Sequence, residues 1–412
     1  MPARIVLTVA LLAVCLSAAH AQQPPVSPAP DGLAFIDTSI ENASPLWYER
    51  DDEGVYHVHL LYDHERNAPN RAAGHIHFRL VGTPGARVTL EFRNLDNVWN
   101  GRHGSVAGEL KTVATSADGR EWTTMPTDAL PDDRVRVTLT MPGDTLHVAR
   151  MQPYRLSDLD RLLDSIRTNP RVSITTMGKT VAGRPLEIIR IGREDAPHRV
   201  FLRARAHPWE AGSSWVMHGL IERLVRDDAE TRALLERYAV YLLPMANKDG
   251  VALGRTRFNL LGKDLNRNCN APVDAALAPE NAALERWLEG MIAAGRAPHL
   301  AIELHNDGRG LLHISRPPVP QLPRYLERMA QFEALLRAHT WFTEGHTDGA
   351  FRNSGTLGDG WLERYGIDAL VHELNANWIE GLKDHTSSAH WRAYGASLAT
   401  VFDAYLTERM TP

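Results

Sequence analysis

The hydrophobic pattern of this chain changes period once, near Pro153 and Tyr154, and that change constrains the fold more than any other feature. Before it, short runs alternate apolar and polar residues: Val55 to Leu60, His75 to Val81, Arg87 to Phe92, Arg134 to Leu139 and Leu146 to Ala149. Gly, Pro, Asn and Asp separate these runs, as they do in sheets with one solvated face. Residues 33–153 are therefore expected to form an all-β sandwich domain. The histidines His57, His59, His75 and His77 read as part of its exposed polar face, with a second metal site at His57 and His59 as the less economical alternative. After Pro153, strand-like runs alternate with helical ones. Glu187 to Ile191, Val200 to Arg205, Tyr238 to Leu243, Leu300 to Leu304 and Ala369 to Leu374 read as strands. Ser213 to Val225, Asn281 to Ile292, Leu322 to Ala338 and His390 to Leu406 read as helices, as does the run through Leu159, Leu162, Leu163 and Ile166 behind a cap at Ser157 to Asp160. This alternation predicts an α/β domain over residues 154–412 with a mixed, largely parallel central sheet.

The first residues carry a different message. Arg4 precedes an apolar run from Ile5 to Leu16, and Ser17 to Ala21 end it with small residues. A basic start, a short apolar core and a small-x-small end describe a cleavable export signal over residues 1–21, with 22–32 as a Pro-rich linker. The core is too short to span a membrane, and Val14 before Cys15 does not suit lipidation. The expectation is an exported protein, periplasmic or secreted, with no membrane insertion after cleavage. Only Cys269 then remains, so no intramolecular disulfide is available, and with no Cys-His motif beside it a packing role is expected. A net charge of -5 over 412 residues provides no field for nucleic acid.

The chemistry concentrates in the second domain. His207 and Glu210 lie three residues apart at the end of the strand-like run Val200 to Arg205, and His305 ends another. Two imidazoles and a carboxylate suit zinc, and three protein ligands leave a fourth position for water, which marks a catalytic site. Ligands of such sheets gather at the carboxyl ends of strands, where His207, His305 and Glu373 fall. Arg257 and Arg267, on polar loops, suit two anions: a developing oxyanion and a terminal carboxylate.

His207-Pro208-Trp209-Glu210, Asn247 to Gly250, Asp264 to Arg267, Glu303 to His305 and His372-Glu373 occur in an order that resembles the zinc carboxypeptidases of the carboxypeptidase A type. The match runs from about Tyr154 onward. The β-rich first domain, Pro153-Tyr154 and Gly254 to Arg257 look most like the cytosolic-carboxypeptidase branch. The resemblance implies one zinc ion on His207, Glu210 and His305, with Asp264 orienting His207. It implies Glu373 as general base and acid, Arg257 as the oxyanion donor, and Asn266 and Arg267 as the grip on a substrate carboxylate. His372 should point to the opposite strand face. Three departures stand out. Trp209 replaces an arginine that contacts longer substrates in many members. Phe351 falls where the family's lid tyrosine covers the substrate. Gly358 falls where deglutamylating relatives carry a basic residue, which leaves glutamate preference unsupported there; nearby Arg352 is a substitute, and Asp359 leaves room for a basic side chain.

The reading that follows is an exported zinc metallocarboxypeptidase acting on peptide or protein C-termini. A cell-wall peptide amidase or small-molecule deacylase using the same ligands is the alternative. A non-catalytic binding protein is disfavoured, because it has no need of Glu373.

Overall fold

The computed structural model describes residues 32–347 and 355–408. The expected export signal lies outside them, as do nearly all of the linker, Phe351 and Arg352. Two five-stranded sheets build the first half. One runs in the order Leu33–Asp37, His77–Gly82, Thr145–Ala149, Thr112–Ser116, Thr123–Pro126. The other runs Asp128–Leu130, Arg134–Thr140, Arg87–Arg93, Val55–Leu60, Leu46–Arg50. The period-two alternation places Phe78, Leu80, Leu90, Phe92, Val137 and Val148 in one core between them. A third, four-stranded sheet joins Asp63–His64, Arg71–Ala72, Asp96–Trp99 and Arg102–Ser105. Strands of two to four residues carry no readable alternation, so the sequence does not announce this sheet.

The second half is an α/β domain around an eight-stranded mixed sheet. Its centre is parallel: Tyr238–Leu243, His198–Ala204, Leu300–Asp307 and Asp368–Asn375 lie side by side in one direction. Antiparallel strands flank this centre, Pro185–Ile191 with Val172–Lys179 on one side and Leu312–Ile314 on the other. Helices cover both faces, which is why the central strands read as continuous apolar runs. Val200, Leu202, Ile302 and Leu370 meet helices Ala211–Leu224, Leu322–His339 and Ser388–Glu408. Phe201, Ala301 and Ala369 meet helices Pro279–Ala293 and Leu357–Tyr365 on the other face. None of the described helices is long and apolar enough to cross a membrane.

Two local expectations need correction. Helix Leu156–Ile166 starts two residues earlier than a cap at Ser157 allows; Arg155 is the N-cap and its backbone N–H donates to Asp158 Oδ2 at 2.7 Å. Ser157 instead binds Glu41 across the domain boundary, where its Oγ donates at 2.6 Å. The histidines His75 and His77 do not lie on an exposed face. They are 8% and 1% exposed and both approach the carbonyl of Asn42, whose side chain donates to Val251 O in the α/β domain at 2.7 Å. Alternation alone does not distinguish a polar side chain facing water from one facing a second domain. His57 contacts Asp51 at 2.9 Å and His59 stacks on Trp47, so neither is arranged for a shared ion.

Candidate metal centre

His207 follows the end of strand His198–Ala204, while His305 and Glu373 stand on adjacent parallel strands, directly opposite each other in the register. Odd-numbered residues of these strands share a face, so Glu303, His305 and Glu373 all project to the side of helices Pro279–Ala293 and Leu357–Tyr365. Helix Ala211–Leu224 begins immediately after Glu210, its N-cap, and the turn folds that carboxylate back toward His207.

The donor atoms of His207, Glu210 and His305 all lie within 4.8 Å of one another. Glu210 Oε1 stands 2.9 Å from His207 Nδ1, and Oε2 stands 2.6 Å from His305 Nδ1. Each histidine turns its other nitrogen outward to a carboxylate. His207 Nε2 faces Asp264 Oδ1 at 3.2 Å, and His305 Nε2 faces Glu303 Oε1 at 3.3 Å. A proton held on Nε2 leaves Nδ1 as the lone-pair donor, the arrangement that metal-binding histidines need. All three donors are buried. Burial opposes charge on Glu210, but the facing imidazoles of His207 and His305 outweigh it and hold the carboxyl well below its ordinary range. Two neutral imidazoles and one anionic carboxylate converging on one point fit zinc, with a coordination position left for solvent or substrate.

Asp264 joins this cluster to Arg257. Its Oδ1 faces His207, and its Oδ2 accepts from Arg257 Nε at 2.8 Å. Burial disfavours its charge, yet Arg257 and then His207 keep its carboxyl well below the usual value. Glu303, which the sequence reading did not assign, does the same for the other imidazole. Its Oε1 accepts from Arg203 Nε at 2.9 Å, and Arg203 Nη1 donates to Asn281 Oδ1 at 2.9 Å. The signal for Glu303 was its position two residues before His305, on the same strand face.

Glu373 carries the opposite charge environment. Its side chain is 14% exposed, and Oε2 has no hydrogen-bond partner among the described residues. Burial, and then the nearby Asp307, raises its pKa well above that of a free carboxyl. Such a group accepts and returns a proton near neutral pH more readily than an exposed carboxylate. His372, next to it, points to the other sheet face, where its Nε2 meets Tyr394 OH at 2.6 Å.

Asn266 and Arg267 border the centre differently. The Asn266 amide is used internally: Oδ1 accepts from Leu357 N at 2.9 Å and Nδ2 lies 3.1 Å from His305 Nε2. Arg267 Nη1 donates to Asn266 O at 2.8 Å, and its Nε reaches Asn100 of the first domain at 3.4 Å. Phe351 lies outside the described residues. Asp359, offered above as a contact for a basic side chain, is buried in the capping box of helix Leu357–Tyr365, where it accepts from Thr356 N at 3.2 Å. Gly358 is closed off, since a Cβ there would stand 2.8 Å from Ser315 Oγ. Cys269 is buried and its thiol is pushed up to about 12 by that burial, as its packing role requires.

Comparison with known proteins agrees with this geometry. Residues 159–288 match the zinc carboxypeptidase family model. Cytosolic carboxypeptidase 2 of Danio rerio is 33% identical over 144 residues, 32% of this chain and 20% of that protein. Cytosolic carboxypeptidase 6 of Caenorhabditis elegans is 36% identical over 140 residues, 32% of this chain and 30% of that protein. The chain thus aligns with less than a third of these relatives' own lengths. Among solved structures, a metallo-carboxypeptidase from Burkholderia cenocepacia shares the fold with a TM-score of 0.79, at 21% identity, over 91% of this chain and 99% of that one. A Pseudomonas aeruginosa metallo-carboxypeptidase, solved with (2-guanidinoethylmercapto)succinic acid, gives 0.73 at 23% identity over 90% and 100%. With its β domain ahead of an α/β domain and a zinc site formed by His207, Glu210 and His305, the chain is similar to the zinc carboxypeptidases, whose family model it matches over residues 159–288.

Proposed function

We propose that this protein is a zinc-dependent carboxypeptidase that hydrolyses the last peptide bond of a peptide or protein. The observation that carries the reading is the pairing of Glu373 with His305 on neighbouring strands, which sets a base with a raised pKa beside the zinc donors. Zinc bound there supplies a Lewis acid that acidifies a water and polarises a carbonyl. Glu373 takes the proton from the attacking water and returns it to the departing amine. Arg257, aimed by Asp264, stabilises the negative charge that develops on the scissile carbonyl oxygen. Arg267 takes the terminal carboxylate, and the Asn266 amide beside it joins the grip.

Glu373→Gln tests the base. It should retain one zinc per chain and lose a factor of about 10²–10⁴ in kcat; undiminished turnover would sink the assignment. Peptides with free and amidated C-termini test the reaction class. Preference for the free carboxylate supports a carboxypeptidase, whereas equal rates favour an amidase or deacylase on the same ligands. Export is part of the proposal, supported by Arg4, the apolar run Ile5 to Leu16 and the small residues before Gln22. N-terminal sequencing of the mature protein should begin at Gln22, in a periplasmic or secreted fraction.

A further inference from the structure

We infer that Trp209 is a positioning residue for the metal: held by the first domain, its indole N–H fixes the carboxylate of Glu210. The inference rests on the zinc site proposed above and assigns the β domain a part in it. The ring is turned away from solvent and offers a substrate almost no surface. Trp209 is 7% exposed and packs in the core of the β domain with Val106, Leu95 and Leu110, although it belongs by sequence to the metal-binding turn.

Three first-domain groups set the plane of the indole. Arg150 lies over one face, with its Cζ 4.3 Å from the ring centroid. Gly74 meets the edge so closely that a Cβ there would stand 2.7 Å from Cζ3, at a φ of +147 that already favours glycine. Val106 Cγ2 closes the same slot beside Gly74. Held this way, Nε1 donates to Glu210 Oε1 at 3.2 Å, the oxygen that faces His207 Nδ1. A donor on that oxygen restricts rotation of the carboxylate and favours its anionic form, the state a zinc ligand needs.

Arg150 strengthens the arrangement electrostatically. It is 4% exposed, and Nε, Nη1 and Nη2 have no hydrogen-bond partner among the described residues; its ion pair with Glu109 spans 3.7 Å. Its charge therefore acts mainly through space, on the indole face and on nearby carboxylates. A cation over the ring draws electron density from it and makes the N–H a better donor.

The test is zinc affinity, measured on the full chain by competition with a chromophoric chelator, so it does not depend on turnover. Trp209→Phe keeps an aromatic ring but removes the donor, and is expected to bind zinc about ten-fold more weakly. Cobalt substituted for zinc should show shifted visible d–d bands in the same variant. Because phenylalanine is smaller, the measurement is repeated with 3-benzothienylalanine at position 209, a tryptophan isostere with sulfur in place of the N–H. Weakening in both proteins supports the positioning role. Parental affinity and an unchanged cobalt spectrum in the isostere overturn it, because packing alone would then account for the residue. A parent that binds no stoichiometric zinc would instead sink the metal-site reading itself.

Discussion

The two halves of this molecule contribute to the site differently, one through its own sheet and the other through contacts across the boundary, and the difference explains how the site is held. In the α/β domain, buried charges are paired within the domain: Arg203 with Glu303 on neighbouring strands, Arg328 of helix Leu322–His339 with Asp368, and Asp264 between His207 and Arg257. For Arg203 and Glu303, parallel strands bring the partners together by register alone. In the β domain, Glu91 is likewise paired within its sheet, with Arg134 and Arg136, but a set of polar groups beside the α/β domain reaches across the boundary. Asp63 Oδ2 accepts the backbone N–H groups of Arg257 and Phe258 at 2.8 and 2.7 Å, His75 N donates to Thr256 Oγ1 at 3.2 Å, and Arg66 N donates to Gly262 O at 2.7 Å. The loop that carries Arg257 is therefore held largely by its neighbour domain. Strands position His305 and Glu373 without help, whereas loop residues need external anchors.

The strongest way to break this comparison is within the sheet. Arg203→Met leaves Glu303 buried without its cation, which should reduce stability by about 3–5 kcal/mol in denaturant unfolding. Replacing both, as Arg203→Met with Glu303→Leu, should recover much of that stability, because two apolar residues tolerate the same site. The double variant should still bind zinc more weakly, since His305 Nε2 loses the acceptor that fixes its tautomer. Parental zinc affinity in the double variant would show that strand register alone suffices.

A smaller effect sharpens the other side. Asp63→Ala removes the shared acceptor of two buried N–H groups and should reduce stability by about 2 kcal/mol. If the first domain holds the Arg257 loop, kcat should also fall about ten-fold while zinc affinity and KM stay near parental values. Unfolding curves and steady-state kinetics on the zinc-loaded variant decide it. Parental kcat in a destabilised protein would reduce Asp63 to a packing role.

How much of this was legible in the sequence follows the same division. The α/β domain was readable because its parallel strands are long apolar runs, and because His207, Glu210, His305 and Glu373 are chemically distinctive residues at strand ends. The boundary between domains was not. Asp63 sits on a two-residue strand that shows no period, and the aspartate of a short turn looks like any other turn aspartate. His75 and His77 alternate with apolar residues, and nothing in a single sequence reveals that their outer face meets Asn42 rather than water. Asp359 left room for a basic side chain on the sequence but serves in a capping box with Thr356, three residues earlier. Trp209 was noticed as a departure; its destination in the other domain's core depends on Gly74, more than a hundred residues away.

The boundary histidines make the smallest prediction, and one that separates the two domains by pH. Burial pushes His77 down to about 3 and His75 to about 4, so both are neutral in the fold at neutral pH. In the unfolded chain each titrates near 6.5. Below that value the unfolded state takes up protons that the folded state does not, so stability is retained above about pH 6.5 and is lost progressively toward the folded values. For His77 alone the loss between pH 7.5 and 5.5 amounts to about 1.4 kcal/mol. His77→Phe removes the titrating group while keeping a ring against Trp122, its neighbour at 6.1 Å. Its unfolding free energy should therefore fall less than the parent's over that interval, by about that amount, whatever the variant's stability at pH 7.5. Parallel pH profiles for the two proteins would mean that His77 is protonated in the fold or exchanges with solvent, and that the domain boundary is not acid-sensitive at this residue.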